Sequence, residues 1–397
     1  MSTKVYVKRT FHPVGQGAFF TEQFYRDDAE KLLYNIVYDC GSKSEGIKTQ
    51  MERSIRNVFH DKKKIDVLFL SHFDDDHINF VKTLNDKGHL SGTKIFIPML
   101  AAEKWLGIMP YIFNYNYVLS LDDISRGGTT RVIRVKFDGE EVGELTHNND
   151  PIIIEKIESD TIPSGSLLQP NLPVQDVVWY YAPFNVQFNA LIATFRGKLR
   201  NEGLDYRRLT DKDYLPGRIR KLKKIYRDLG KRPSGGGTAI NLNSLLVMSY
   251  PKDAEKCCFV DSIRMSGYHC KHWMCHHNWI YPGSCLYTGD TSANETFVWQ
   301  RIEKIIDQCL GKDSILGLLQ IPHHGSKNSY DDKLLTSPRF FAGFTNYDPY
   351  YRQRIFDDNL AMKLSLYHHP LVHVTKDYGS KYEEYWEYKT TAPILTV

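Results

Sequence analysis

Two periods of apolar and polar positions run along this chain, and the switches between them mark its elements. Val5-Tyr6-Val7 leads into the turn Gly15-Gln16-Gly17, and a second apolar run over 34–38 ends at Asp39-Cys40-Gly41. Met51, Ile55 and Val58 are spaced for a helix over 49–59. Residues 65–70 form a short β-rich run of the buried-strand type, 80–84 open a helix, and 94–99 read as another strand. Val177-Val178-Trp179-Tyr180-Tyr181 predicts a strand that stops at Pro183, because proline donates no ladder hydrogen bond. Strands are also predicted over 241–248, 316–321, 340–344 and 372–375, with a helix over 295–310.

This alternation predicts an α/β architecture. Polar clusters follow strand ends three times: after Leu70, at Asp290 and after Ile321. Loops at the ends of a rigid sheet are where such a fold assembles a site.

Composition adjusts the picture modestly. The chain has 397 residues, 42% hydrophobic and 25% charged, enough for a substantial core. No apolar run reaches the ~18 residues of a membrane helix, and the first residues lack a signal-peptide core, so the expectation is a cytoplasmic protein with no membrane partner. Seven cysteines in a chain this long argue for reduced thiols rather than a disulfide scaffold. Charge is uneven. Residues 196–232 hold 14 Lys/Arg against 5 Asp/Glu, while the remainder holds 37 against 42. Ile219, Leu222, Ile225, Tyr226 and Leu229 form one apolar helical stripe in that segment. Its cations, among them Arg218, Arg220, Lys221 and Lys224, are candidates for holding nucleic-acid phosphates, with a protein partner or a second copy of the chain as other occupants. A solvated amphipathic helix explains the segment equally well.

The chemistry concentrates in Ser71-His72-Phe73-Asp74-Asp75-Asp76-His77. Four candidate ligands, His72, Asp74, Asp76 and His77, fall within six residues on a turn after a buried strand. Imidazole and carboxylate donors converging at close range suit divalent metals. The alternative is a solvated turn with one aspartate capping the next helix. The stretch from Cys257 to Cys285 is also rich in Cys and His, but Cys270-x4-Cys275 is not the tight zinc-knuckle spacing, so a His-rich loop with buried thiols is preferred.

Ser-His-Phe-Asp-Asp-Asp-His resembles the metal motif of metallo-β-lactamase-fold hydrolases in its H-x-D-x-D-H form. Together with Thr288-Gly289-Asp290 and Pro322-His323-His324-Gly325-Ser326, it resembles the ComEC-type nuclease domain. Gly15-Gln16-Gly17, Tyr38-Asp39-Cys40-Gly41 and Asn241-Leu242-Asn243-Ser244-Leu245 match the same family in order. The resemblance implies a single αββα sandwich over 1–397, with insertions at 101–175, 190–235 and 257–283. It implies two divalent ions, zinc or manganese, or else magnesium. His72 and Asp74 would bind one ion, Asp76 and His77 the other, and Asp290 would bridge them. Asp39 would orient ligands. His323 or His324 would ligate or act as the general acid, and Ser326 and Lys327 would contact substrate. Relatives carry Gly-His-Pro late in the chain where this one has Tyr347-Asp348-Pro349, so Asp348, His368 or His369 would have to replace that histidine. The implied activity is hydrolysis by a metal-activated water, on a phosphodiester such as a nucleic acid. A small-molecule lactone, thioester or cyclic nucleotide, and a partner-activated or non-catalytic module, are the alternatives.

Overall fold

The computed structural model describes residues 4–26, 31–60, 63–99, 129–136, 150–174, 176–185, 196–205, 208, 213–214, 216–229, 244–264, 283–294, 296–351 and 356–389. Their strands form two mixed sheets. The first runs, edge to edge, β12 (Cys257–Arg264), β17 (Tyr382–Lys389), β1 (Lys4–Phe11), β2 (Phe19–Arg26), β3 (Lys31–Cys40), β4 (Val67–Phe69), β5 (Lys94–Pro98), β6 (Arg131–Val135), β8 (Thr161–Ile162). The second runs β16 (Leu371–Val374), β15 (Phe340–Asn346), β14 (Leu316–Gln320), β13 (Cys285–Tyr287), β11 (Leu245–Pro251), β10 (Trp179–Asn185), β9 (Leu168–Gln169), β7 (Ile152–Ile153).

The period-2 pattern decides which face each strand buries. Val5, Val7, Phe20, Phe24, Tyr38 and Phe69 of the first sheet meet Trp179, Tyr181, Val247, Tyr287 and Phe344 of the second in one continuous core. Ring contacts tie the layers together, with centroids 4.3 Å apart for Phe11 and Phe344, and 4.8 Å for Tyr38 and Tyr287. Helices cover the outer faces. Lys48–Val58 and Val81–Asp86 pack Met51, Ile55 and Leu84 against Val37, Leu68 and Ile95. On the other side, Thr296–Leu310, Asp332–Thr336 and Leu360–Leu366 pack Ile302, Ile306, Leu334 and Leu364 against Leu246, Met248 and Leu319. The layering is helix, sheet, sheet, helix: the αββα sandwich that the sequence resemblance implies. No helix of the described residues is long and apolar enough to cross a membrane.

The strand from 177 does not stop at Pro183 but continues to Asn185. Pro183 opposes Val247 of β11 while its carbonyl accepts from Gly165 on the other side. In a strand a residue's N and O point the same way, so the proline nitrogen faces that looser side, where β9 meets β10 only at Tyr181. The predicted strands omitted β2, β12 and β17. β17 follows β1 antiparallel from Lys4↔Lys389 to Phe11↔Tyr382, and β12 continues the sheet beyond it. Cys257 and Cys258 therefore lie in a strand, with free thiols; residues 265–282, which hold the rest of the Cys/His-rich stretch up to Pro282, lie outside the described residues.

A polar cluster sits inside the sandwich. Arg9 of β1 is fully buried between Glu22 of β2 (2.8 Å) and Glu384 of β17, and also donates to the Gly283 carbonyl. Glu22 accepts from Tyr181 at 2.5 Å, Ser249 at 2.7 Å and Tyr287 at 2.8 Å, all on the second sheet. Burial alone would push the Glu22 carboxyl up, but Arg9 and these hydroxyls outweigh it and hold it down.

Candidate metal centre

Every loop of the site leaves the C-terminal end of a strand with a parallel neighbour. β3 delivers Asp39, β4 delivers residues 71–77, β13 delivers Asp290 and β14 delivers His323 and His324. The pairs β3/β4, β13/β14 and β14/β15 are parallel, so these ends share one edge of the sandwich.

Close backbone approach requires glycine in two of these loops. A Cβ on Gly41 would come within 2.5 Å of the Asp76 and His77 backbone. One on Gly289 (φ +56°) would come within 2.7 Å of the Ser71 Cβ. Direct bonds lock the loops: Ala18 N to Asp76 O (3.1 Å), Leu245 N to Ser71 O (2.7 Å), His323 N to Gly289 O (3.1 Å).

Four imidazoles converge, and in each the Nδ1 is already engaged. His77 Nδ1 donates to Asp39 Oδ2 at 2.8 Å. Ser71 gives its hydroxyl proton to the same Asp39 oxygen (2.6 Å), so its Oγ accepts from His72 Nδ1 at 2.9 Å. His324 Nδ1 donates to the Asn346 carbonyl at 3.0 Å, and His323 Nδ1 pairs with Ser329 Oγ at 2.9 Å. This fixes the ring orientations and leaves Nε2 facing inward on all four.

Asp290 lies between them with its oxygens divided. Oδ1 is 3.2 Å from His77 Nε2 and 3.6 Å from His324 Nε2; Oδ2 is 3.7 Å from both His72 Nε2 and His323 Nε2. Asp76 Oδ2 adds to the first group, 3.5 Å from His324 Nε2. Asp74 adds to the second, 4.0 Å from His72 Nε2. Asp74 is the N-cap residue of the turn Asp75–Ile78, yet its carboxylate makes no capping bond, and Asp75 faces solvent.

The Nε2 atoms of His72, His77 and His324, and Asp290 Oδ1, are buried without a hydrogen-bond partner. Each such orphan costs about 1–3 kcal/mol unless something else satisfies it. Their donor atoms fall in two groups tight enough for a cation, His72/His77/Asp290 and Asp76/His77/His324. The groups share His77 Nε2, whose single lone pair serves one ion, so an ion on Asp76, His77 and His324 and another on His72 and Asp290 would satisfy all four atoms; the residues fit the metals that the motif implies. Backbone strain points the same way. Asp39, His323 and His324 all have φ between 51° and 55°, a left-handed conformation costing about 1 kcal/mol or more per non-glycine residue.

Electrostatics reflect the crowding. Burial works against ionisation of Asp290, but His324, His77 and His323 outweigh it and lower its pKa. His77 is raised in spite of burial by Asp290 and Asp39. Burial, then the neighbouring Asp76, pushes Asp74 up to about 6. Burial lowers His72, with His77 adding to it.

Of the candidates for the late histidine, none joins this centre. Asp348 is held by Lys376 (3.3 Å) and the Tyr350 N–H (2.9 Å). His369 stacks on Phe340, at the opposite end of β15 from Asn346 and so roughly 20 Å away. His368 is exposed. Ser326 is buried and accepts from Asn328 N, whereas Lys327 is exposed. The basic helix Ile219–Leu229 buries Leu222 and Ile225 and exposes Arg220, Lys221 and Lys224. Arg218 lies over the Tyr214 ring and Lys221 pairs with Glu202 at 3.0 Å, so both are engaged within the basic segment.

Sequence reasoning missed Ser329 and Asn346, which carry no signal of their own until the histidines they orient are placed, and gave no role to Ser71 although it opens the motif. It also missed Lys43, whose Nζ reaches Asp76 Oδ1 at 2.6 Å. Burial opposes the Lys43 charge, but Asp76, Asp74 and Asp75 outweigh it and raise its pKa.

No family model matches the chain, and no curated protein matches it. Among solved structures it is similar to the metallo-beta-lactamase fold protein YhfI from Bacillus subtilis, at 10% identity and a TM-score of 0.38, covering 98% of this chain and 100% of that one. At those values the fold rests on the layering and strand order, and the site on its own geometry.

Proposed function

We propose that the chain is a metal-dependent hydrolase acting on phosphodiesters, a nuclease in particular. The observation that carries this is the set of four inward Nε2 atoms arranged around the divided Asp290 carboxylate. His72, Asp74 and Asp290 would hold one divalent ion, with His323 on the same side. Asp76, His77, His324 and Asp290 would hold the second. The mixed nitrogen and oxygen donor set suits zinc or manganese. Bound there, such ions acidify water and withdraw charge from the oxygens of an ester under attack.

The protein's own groups supply the rest. Asp39 and Ser71 keep His72 and His77 in the tautomer that presents Nε2. His323 is the most exposed of the four rings, at 19% of its side chain, and Ser329 fixes its far nitrogen. It is therefore placed to pass a proton to a departing alkoxide from Nε2. Arg220 and Lys224, exposed on the basic helix, would add salt-sensitive attraction for a nucleic-acid backbone.

The test is cleavage of labelled single- and double-stranded DNA and RNA with Mn²⁺, Zn²⁺ or Mg²⁺, beside an Asp76→Ala/His77→Ala double variant. Metal-dependent cleavage that drops at least about a thousand-fold in the variant is expected. A metal-loaded protein that leaves all four polymers intact while hydrolysing a lactone or thioester would refute the phosphodiester reading.

A further inference from the structure

We infer that Lys43 is a specificity-determining residue of this site, a fixed cation that binds a non-bridging oxygen of an anionic, phosphodiester-type substrate. The inference rests on the metallohydrolase reading above and assigns the residue that selects an anionic substrate for it.

The lysine is built in rather than free on the surface. Its N–H donates to Gln16 O at 2.7 Å, and the adjoining Ser44 Oγ accepts from Gln16 N at 2.8 Å. On the other side, Ser42 exchanges two hydrogen bonds with the Asn79 side chain, at 3.0 and 2.7 Å, and its Oγ donates to Val14 O at 2.6 Å. Glycine at 41 lets this loop lie directly on the Asp76–His77 backbone. The side chain is one-third exposed, whereas Asp76, which it touches, is 8% exposed. The ammonium thus rests on the buried carboxylate at the end of a side chain that still reaches solvent.

Charge balance shows what it is for. Asp76 turns Oδ2 toward His324 and Oδ1 toward Lys43, so a metal on Oδ2 leaves the Lys43 contact in place. Two divalent ions would balance the four site carboxylates Asp39, Asp74, Asp76 and Asp290, so the loaded site needs no lysine for neutrality. The Lys43 charge is then in excess and makes the loaded site net positive, which favours an anionic over a neutral ester. An ammonium has three donors and Asp76 Oδ1 takes one, leaving hydrogens for a substrate oxygen.

The test compares metal-reconstituted wild type, Lys43→Gln and Lys43→Arg. Metal content is checked by elemental analysis, binding of inorganic phosphate by calorimetry, and kcat/KM on bis(p-nitrophenyl) phosphate and on neutral p-nitrophenyl acetate. Phosphate binding is expected to weaken at least about ten-fold in Lys43→Gln at unchanged metal content, the scale of one charge-assisted hydrogen bond, with much of it restored in Lys43→Arg. The diester-to-acetate ratio is expected to fall with it. If phosphate fails to bind the wild type, if both proteins bind it equally, if metal is lost, or if both esters slow alike, Lys43 merely supports Asp76 and the inference is overturned. If the wild type cleaves neither ester but phosphate binding still depends on Lys43, the hydrolase reading falls and this one stands.

Discussion

At the scale of single residues, the site is organised by what sits behind the ligands. Asp39 is fully buried, receives the Ser71 N–H and hydroxyl and the His77 Nδ1–H, and occupies a left-handed backbone position. Burial pushes its carboxyl up, and His77 and Ser71 pull against that. An Asp39→Asn variant keeps the shape but can turn an N–H toward His77, which disturbs the tautomer that presents Nε2. Metal affinity, measured by competition with a chelator, is expected to fall about 10–100-fold. Unchanged affinity would mean that the His77 orientation is held by other contacts. Gly41→Ala tests the backbone approach. Its Cβ has no room against Asp76 and His77, so the variant should lose bound metal or fail to fold, whereas Gly46→Ala, where nothing lies within 4 Å, should keep its metal despite the backbone strain of φ +72°.

At the scale of elements, the polar clamp inside the sandwich joins β1, β2 and β17 to β10, β11 and β13 through Arg9, Glu22 and Glu384. Removing its one cation leaves two buried carboxylates facing each other. Arg9→Met should cost about 3–5 kcal/mol in denaturant unfolding, far more than a methionine at an ordinary core position. The same cluster shows why some strands were illegible. β17 reads Tyr-Glu-Glu-Tyr-Trp-Glu-Tyr-Lys, and Glu384 at a core position breaks the apolar alternation that marks a strand. In β2, Glu22 and Gln23 are both buried, so no half-polar pattern survives there either. The strands beside the site were legible because 65–70 and 316–321 are largely apolar runs, broken only by Asp66 and Gln320, that give way to clusters of His and Asp or His alone. Asp290 and both histidines of 323–324 were visible as motifs. Lys43 was not, since a lone Lys is ordinary anywhere in a chain, and only the glycine-permitted contact between loops gives it a partner; Ser71 stood inside the motif with nothing to mark its bond to Asp39.

At the scale of the whole molecule, the candidate metal centre lies where the two halves of the sandwich meet. Asp39, His72, Asp74, Asp76 and His77 come from the first sheet, and Asp290, His323 and His324 from the second. Ions bound across that seam couple to folding, because the unfolded chain has no such site. Adding Zn²⁺ or Mn²⁺ at a hundred-fold excess over its dissociation constant should stabilise the fold by about 2.7 kcal/mol, seen as a melting temperature several degrees higher and reversed by EDTA. The most direct test of the central claim is the metal stoichiometry of the purified, reconstituted protein, by elemental analysis, beside Asp290→Ala. Two divalent ions per chain in the wild type, and fewer than two in the variant, are the predicted result. A wild type that binds no divalent ion under the same conditions would contradict the account, because the buried Nε2 atoms of His72, His77 and His324 would then serve no metal.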